Sequence, residues 1–179
     1  MSSLNAVITA WVRGTYAGSN DLASVVADFN SLPKTEITLT PGTSSGNADL
    51  IFMDTRTLSA SSTENLDLAG SLTDPLGATL TFVTIKAIYV KAASANTNNV
   101  VVGGAGSNTL LGIFSDATDK IVVKPGGVFM WVAPATGATV TASTGDILLV
   151  ANSSSGSSVT YDIVIIGTRS EEHTSELQS

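Results

Sequence analysis

The feature that most constrains this chain is a two-residue rhythm of apolar and polar side chains, cut by turn signals roughly every 8 to 12 residues. Thr35-Glu36-Ile37-Thr38-Leu39-Thr40 alternates strictly and stops at Pro41-Gly42. Successive side chains of a strand point to opposite faces, so such a segment buries one row and wets the other. Residues 48–56 put Leu50 and Phe52 on one face and Ile51 and Met53 on the other, which predicts a strand covered on both sides for part of its length. Shorter runs follow at 65–68, 99–102, 109–114, 120–124, 128–132, 139–141 and 146–151. In the last run, Val159, Tyr161, Ile163 and Ile165 oppose Thr160 and Asp162, then Val164 and Ile166. That strand is expected to be half exposed at its start and covered at its end.

The longest run, 79–92, carries a change of face. Leu80 and Phe82 share one side, while Val83, Ile85, Ala87 and Tyr89 share the other. A β-bulge or a strand switching sheets between Phe82 and Val83 does this. Residues 85–90 are apolar on both faces apart from Lys86, which predicts a central strand. Together these runs predict an all-β fold of about 8 to 10 strands. The long connections at 70–78 and 92–98 suit strands crossing between two sheets, so a jelly-roll-like β-sandwich over 35–168 is the expected architecture.

Residues 1–34 differ. Leu22, Val25, Val26 and Phe29 fall on one face at helical spacing, with Ser19 or Asn20 as a cap, so a short N-terminal helix is expected over 21–30, ended before Leu32-Pro33. The two valines lower helix propensity, which leaves a surface-packed segment as the alternative. The whole of 1–34 is read as an arm or attachment segment, or as a cap on one end of the sandwich. It has no basic region leading into an apolar core with a cleavage signal, and no window approaches 18 consecutive apolar residues. Neither Sec export nor a membrane partner is expected.

At the other end, Arg169-Ser170-Glu171-Glu172-His173-Thr174-Ser175-Glu176-Leu177-Gln178-Ser179 brings three Glu and the sole His after a nearly uncharged tract. The string resembles the translation of a sequencing adapter. Residues 169–179 are therefore expected to be a non-native tail outside the fold; the other reading is a short acidic C-terminal tail.

Composition narrows the chemistry. There is no cysteine, so thiolate catalysis, disulfides and Cys-ligated zinc are excluded. One histidine, His173, near the C-terminus leaves no His-centred triad or multi-histidine metal site. Lys+Arg 8 against Asp+Glu 15 gives a net charge of -7, and the basic residues before Arg169 stand singly, so no nucleic-acid footprint is present. Only 13% of residues are charged while 23 Ser and 23 Thr are present, so hydroxyls must make up much of the surface.

The remaining candidates have simpler readings. Asp49 and Asp54 flank a strand, Asp116 and Asp119 share a turn, and Glu64 and Asp67 lie three apart. Paired carboxylates serve glycosidases and hard-metal sites, but these pairs are better read as Asx turns and strand ends. Gly103-Gly104-Ala105-Gly106 lacks phosphate-loop spacing and precedes a β-run, so it reads as a hairpin or loop. Residues 153–158 form a Ser-rich loop with no base to activate a hydroxyl. Trp131, inside Val-Phe-Met-Trp-Val, is read as buried in the core or at a subunit interface; an exposed aromatic platform is the alternative, and Trp11 is less constrained. Arg56 is expected to pair with Asp54 at the surface. No catalytic, cofactor-binding or metal residue is assigned, and no enzyme activity or cofactor is expected.

Residues 48–58 (Ala-Asp-Leu-Ile-Phe-Met-Asp-Thr-Arg-Thr-Leu), 64–70, 85–91, Lys124-Pro125-Gly126-Gly127 and 161–167 resemble small virion structural proteins of tailed bacteriophages. The resemblance covers about 42–167. It implies a non-enzymatic β-sandwich in a capsid decoration, minor head or tail structure, present in the virion, made in the host bacterial cytoplasm, and assembled as a cyclic homo-oligomer beside other capsid or tail proteins. A trimer is expected from the low charge and the many apolar strand positions. The alternative function is a receptor- or glycan-binding module of a tail fibre or tail tip.

Overall fold

The structure is a computed structural model that describes residues 3–171. In chain order the strands are β1 (Ala6–Ala10), β2 (Thr15–Ser19), β3 (Ser24–Asp28), β4 (Thr35–Pro41), β5 (Asn47–Ala48), β6 (Leu50–Leu58), β7 (Thr63–Asp67), β8 (Thr84–Ala92), β9 (Val100–Gly103), β10 (Lys120–Val123), β11 (Val128–Val132), β12 (Ala138–Thr139), β13 (Ile147–Asn152) and β14 (Val159–Thr168). Two larger antiparallel sheets form the body. One runs β11-β8-β14-β6, with β12 also on β8; the other runs β10-β9-β13-β7.

These two sheets pack on a single apolar core. Phe52, Ile88, Val90, Tyr161, Ile163 and Ile165 enter it from the first, and Leu66, Val100, Val102, Leu148 and Val150 from the second. Burying each large aliphatic side chain contributes about 1.5–3 kcal/mol, so the alternation fixes the faces of these strands. A third layer lies outside the first sheet. There β1, β4 and β5 form a three-stranded sheet in which β4 and β5 are parallel, and its Ile8, Ile37, Leu39 and Ala48 pack with Ile51, Ala87, Val132 and Ile166. This layer explains the double-sided strands. In β14 the odd positions fill the central core, while Ile166 lies under the N-terminal sheet and half-buried Val164 at its margin.

A bulge sits in β8, farther along than the sequence pattern placed it. Ala87 pairs with Ile166 but Ile85 pairs with Gly167, so Lys86 is the extra residue. Ile85 and Ile88 consequently share the central core, whereas Ala87 faces the outer layer. Because Leu80 and Phe82 enter the same core, the apolar face changes once between Phe82 and Ile85, ahead of β8, and again at Lys86, and Ile85 leaves the set assigned to Val83, Ala87 and Tyr89. Lys86 itself is buried, donates from Nζ to the Ala135 carbonyl at 2.7 Å, and has its pKa lowered by loss of solvent. Gly167 faces the bulge so closely that a Cβ there would collide with the Thr84 carbonyl oxygen and the Phe82 ring.

The expected N-terminal helix over 21–30 is absent. Its place is taken by the β2–β3 hairpin, in which Tyr16 pairs with Ala27 and Gly18 with Val25. The reason lies in Asn20: its Oδ1 accepts from the amides of Leu22 and Ala23, at 3.0 and 2.8 Å, the bond pattern of a helix cap used here to close a turn. With β-branched Val25 and Val26 after the turn and no surface to receive a helical face, the strand wins. Residues 109–114 likewise form no strand, contributing only a parallel bridge from Thr109 to Ile147. The expected jelly-roll-like sandwich of about 8 to 10 strands with an N-terminal helix is therefore corrected to an all-β fold of fourteen strands in four sheets, one of them mixed, with no helix and no closed barrel among the described residues.

Candidate functional site

The polar residues singled out in the sequence are engaged with the fold itself. Asp49 accepts from the Arg169 amide at 3.0 Å and from its Nε at 2.6 Å, whereas Asp54 pairs with Arg56 Nη1 at 2.9 Å. Each acid of that pair thus serves a different arginine. Asp116 accepts from the amide and hydroxyl of Thr118, which lower its pKa, and Asp119 accepts from the Asp116 amide. These bonds close a turn on itself. Glu64 and Asp67 also part: Asp67 accepts from the Ala69 amide, and Glu64 joins Arg56 and Tyr161. Among the described residues no cluster of three or more His, Asp or Glu is disposed to hold a metal ion.

The Arg56–Glu64 pair was not legible from spacing, because it joins β6 to β7. Arg56 reaches Glu64 Oε2 from Nε at 2.7 Å and from Nη2 at 2.6 Å, in addition to the expected Asp54 contact. Its hydrogen bond to Glu64 raises the guanidinium pKa further. Gly103 and Gly104 both adopt positive φ, at 100° and 74°, after β9, with no helix to aim amides at a phosphate. In the Ser-rich loop, Asn98 Nδ2 donates to the Ser154 and Ser157 carbonyls at 2.9 and 3.0 Å, and Asn152 Nδ2 to Ser157 at 2.7 Å. Trp131 is half-buried against the central core. His173 lies outside the described residues.

What the fold leaves uncommitted is apolar surface near its N-terminus. Of sixteen large apolar side chains exposed among the described residues, nine lie between Val7 and Leu32. Trp11 to Lys34 is exposed throughout apart from half-buried Gly14, so β2 and β3 form a ribbon extending beyond the Ala10–Thr35 end of the β1–β4 ladder. Leu22 at its turn is 94% exposed and Tyr16 77%. The two legs are tied to one another: Trp11 Nε1 donates to the Leu32 carbonyl at 3.2 Å, the Phe29 amide to the Gly14 carbonyl at 3.0 Å, and Arg13 lies 4.8 Å over the Trp11 ring. Exposed apolar side chains concentrated on one element mark an interaction surface more often than singly scattered ones do.

A second apolar surface adjoins the root of the ribbon. On the outer face of the first sheet, cross-strand neighbours Met130, Tyr89, Val164 and Met53 form a row through β11, β8, β14 and β6. It lies one step beyond the row covered by the N-terminal sheet, whose margin still touches Val164, so that Val164 and Tyr89 are half-buried while the methionines at the two ends are exposed. The unpaired edge of β1 borders it, and between them runs an apolar groove of about 280 Å³. Met53 is 54% exposed and Met130 39%. The sequence held the signal for this row in the double-sided patterns of 48–56 and 159–166, but only the placement of the N-terminal sheet shows which part stays bare.

The site is thus a pair of apolar surfaces, one on a projecting ribbon and one on a sheet face, in an all-β protein. Comparison with known proteins finds no matching family model, no significantly similar curated protein and no significantly similar solved structure.

Proposed function

We propose that this chain is a virion structural protein of a tailed phage, a capsid decoration or minor head protein without enzymatic activity, acting through homo-oligomeric contacts with a trimer favoured. It works in the virion after synthesis in the host cytoplasm, and its partners are copies of itself and other capsid or tail proteins rather than nucleic acid or membrane. The observation that carries this reading is the bare apolar ribbon, since a protein that places half of its exposed large apolar side chains on one projecting element is organised to bind protein. The paired carboxylates of the sequence are engaged in turns and ion pairs. The segments resembling phage virion proteins support the same reading.

The test is antibody labelling of intact particles viewed by electron microscopy. Label on the head is expected. Label on fibre tips would favour the receptor- or glycan-binding alternative, for which exposed Trp11 and Tyr16 are the available aromatic platforms. Particles without label would overturn both.

A further inference from the structure

The ribbon and the half-covered row are complementary in the one respect that decides whether apolar surfaces can meet. One face of the ribbon carries the cross-strand pairs Tyr16–Ala27 and Gly18–Val25, continued by Phe29 beside Gly14, with no charge among them. The row Met130–Tyr89–Val164–Met53 is equally uncharged, and methionines at both ends let it adapt to an incoming surface. We infer that the row is covered by the β2–β3 ribbon of a second copy of this chain, added along the open edge of β1 with its Tyr16–Val25 face down. This rests on the homo-oligomeric part of the proposed function and specifies its contact.

Three physical arguments select this occupant. An isolated two-stranded hairpin is marginal in water and needs a further strand or an apolar surface, and its own copy provides neither, because its large side chains stay exposed there. An unpaired edge invites strand addition; β1 offers one above the row, and new strands there would extend the layer that already covers Val132, Ala87, Ile166 and Ile51. Finally, the ribbon is poorly placed to satisfy its own β1. Both legs, tied through Trp11–Leu32 and Gly14–Phe29, would have to reverse together just beyond the Ala10–Thr35 pair. Extended outward, the twelve residues from Trp11 to Leu22 reach up to roughly 40 Å, enough to meet a neighbouring body. The contact is head-to-tail, so three copies can close a ring in which each gives a ribbon and receives one.

The absence of cysteine makes the test direct. Full-length Val25→Cys is mixed with full-length Met130→Cys, allowed to exchange, oxidised and resolved without reductant; Leu111→Cys, at an exposed position away from the row, replaces Met130→Cys as the control. A disulfide-linked heterodimer as the major product, at least tenfold above the control, is expected. In parallel, Met130→Glu should shift the native mass from oligomer to monomer while leaving the far-ultraviolet circular dichroism spectrum unchanged. An oligomeric wild type whose cross-linking does not exceed the control, or whose mass survives Met130→Glu, overturns the ribbon contact and leaves the homo-oligomer standing. A wild type that is monomeric at about 10 μM overturns both.

Discussion

Tyr161 donates its phenolic hydrogen to Glu64 Oε1 at 2.5 Å, joining β14 of one principal sheet to β7 of the other. The ring is fully buried, and Glu64 turns its second oxygen to Arg56 on β6. A polar bridge of this kind helps fix how the two sheets sit, because a part-buried acceptor deprived of its partner is only incompletely resolvated.

Tyr161→Phe is expected to lower stability by about 1–3 kcal/mol in denaturant unfolding, since the ring remains but Glu64 loses a donor. A change below about 0.5 kcal/mol would mean that the bridge contributes nothing beyond packing.

The same hydroxyl sets a pH dependence. Burial first, and then Glu64, raises the Tyr161 pKa above its ordinary value, so the folded state keeps a proton that the unfolded chain releases near pH 10, the usual tyrosine range. Its stabilising contribution is therefore complete below about pH 10 and is lost as pH rises toward the folded-state value. Wild-type unfolding midpoints should fall more steeply than those of Tyr161→Phe above about pH 10; parallel curves would refute the assignment.

Ile163, in the core with 1% exposure, and Thr160, half-buried with its hydroxyl 3.0 Å from that of Thr57, test the faces of β14. Ile163→Ala should cost about 2–4 kcal/mol through lost transfer energy and a residual cavity, and Thr160→Ala less than about 1. Equal losses in denaturant titrations would show that the faces are misassigned.

Gly167→Ala probes the bulge. The added methyl meets the Thr84 carbonyl oxygen, which belongs to the β8–β14 ladder, and the ring of Phe82, which is buried in the core. A loss of about 2–4 kcal/mol is expected, against less than about 0.5 for Gly106→Ala, an exposed glycine outside the positive-φ region where a Cβ meets open space. Thermal unfolding compares the two.

Chain ends separate a fold contact from a dispensable tail. Arg169 holds Asp49 through two bonds, and the Thr43 hydroxyl donates to Glu171 at 3.2 Å, so the described part of 169–179 touches the body. A chain ending at Thr168 should melt below one ending at Ser170 by an amount equivalent to about 0.2–1 kcal/mol, the range for an exposed ion pair. Identical melting would show that Arg169 contributes no stability.

The sequence by itself determined that this chain is built of strands, because period-2 alternation with strong turn residues leaves few other ways to bury its apolar side chains. It also determined the inward row of β14 and the double cover at Ile51 and Ile166, since each depends on which residue types alternate within one strand. Tertiary structure decided what depends on distant partners. Asn20 makes the same side-chain-to-backbone bonds in a helix cap and in a hairpin turn, and the outcome turned on the lack of a surface to bury Leu22 and Val26. The Lys86 bulge became visible only against Gly167, and the Tyr161–Glu64 bridge spans 97 positions that no local pattern connects. The half-covered row of Met130, Tyr89, Val164 and Met53 is of the same kind, for each residue alone is an ordinary strand position, and only pairing across four strands beside an open edge makes them a surface. Local periodicity records which side chains avoid water, while the choice of neighbours is fixed by closing long loops around a shared core, a free energy that belongs to no single segment.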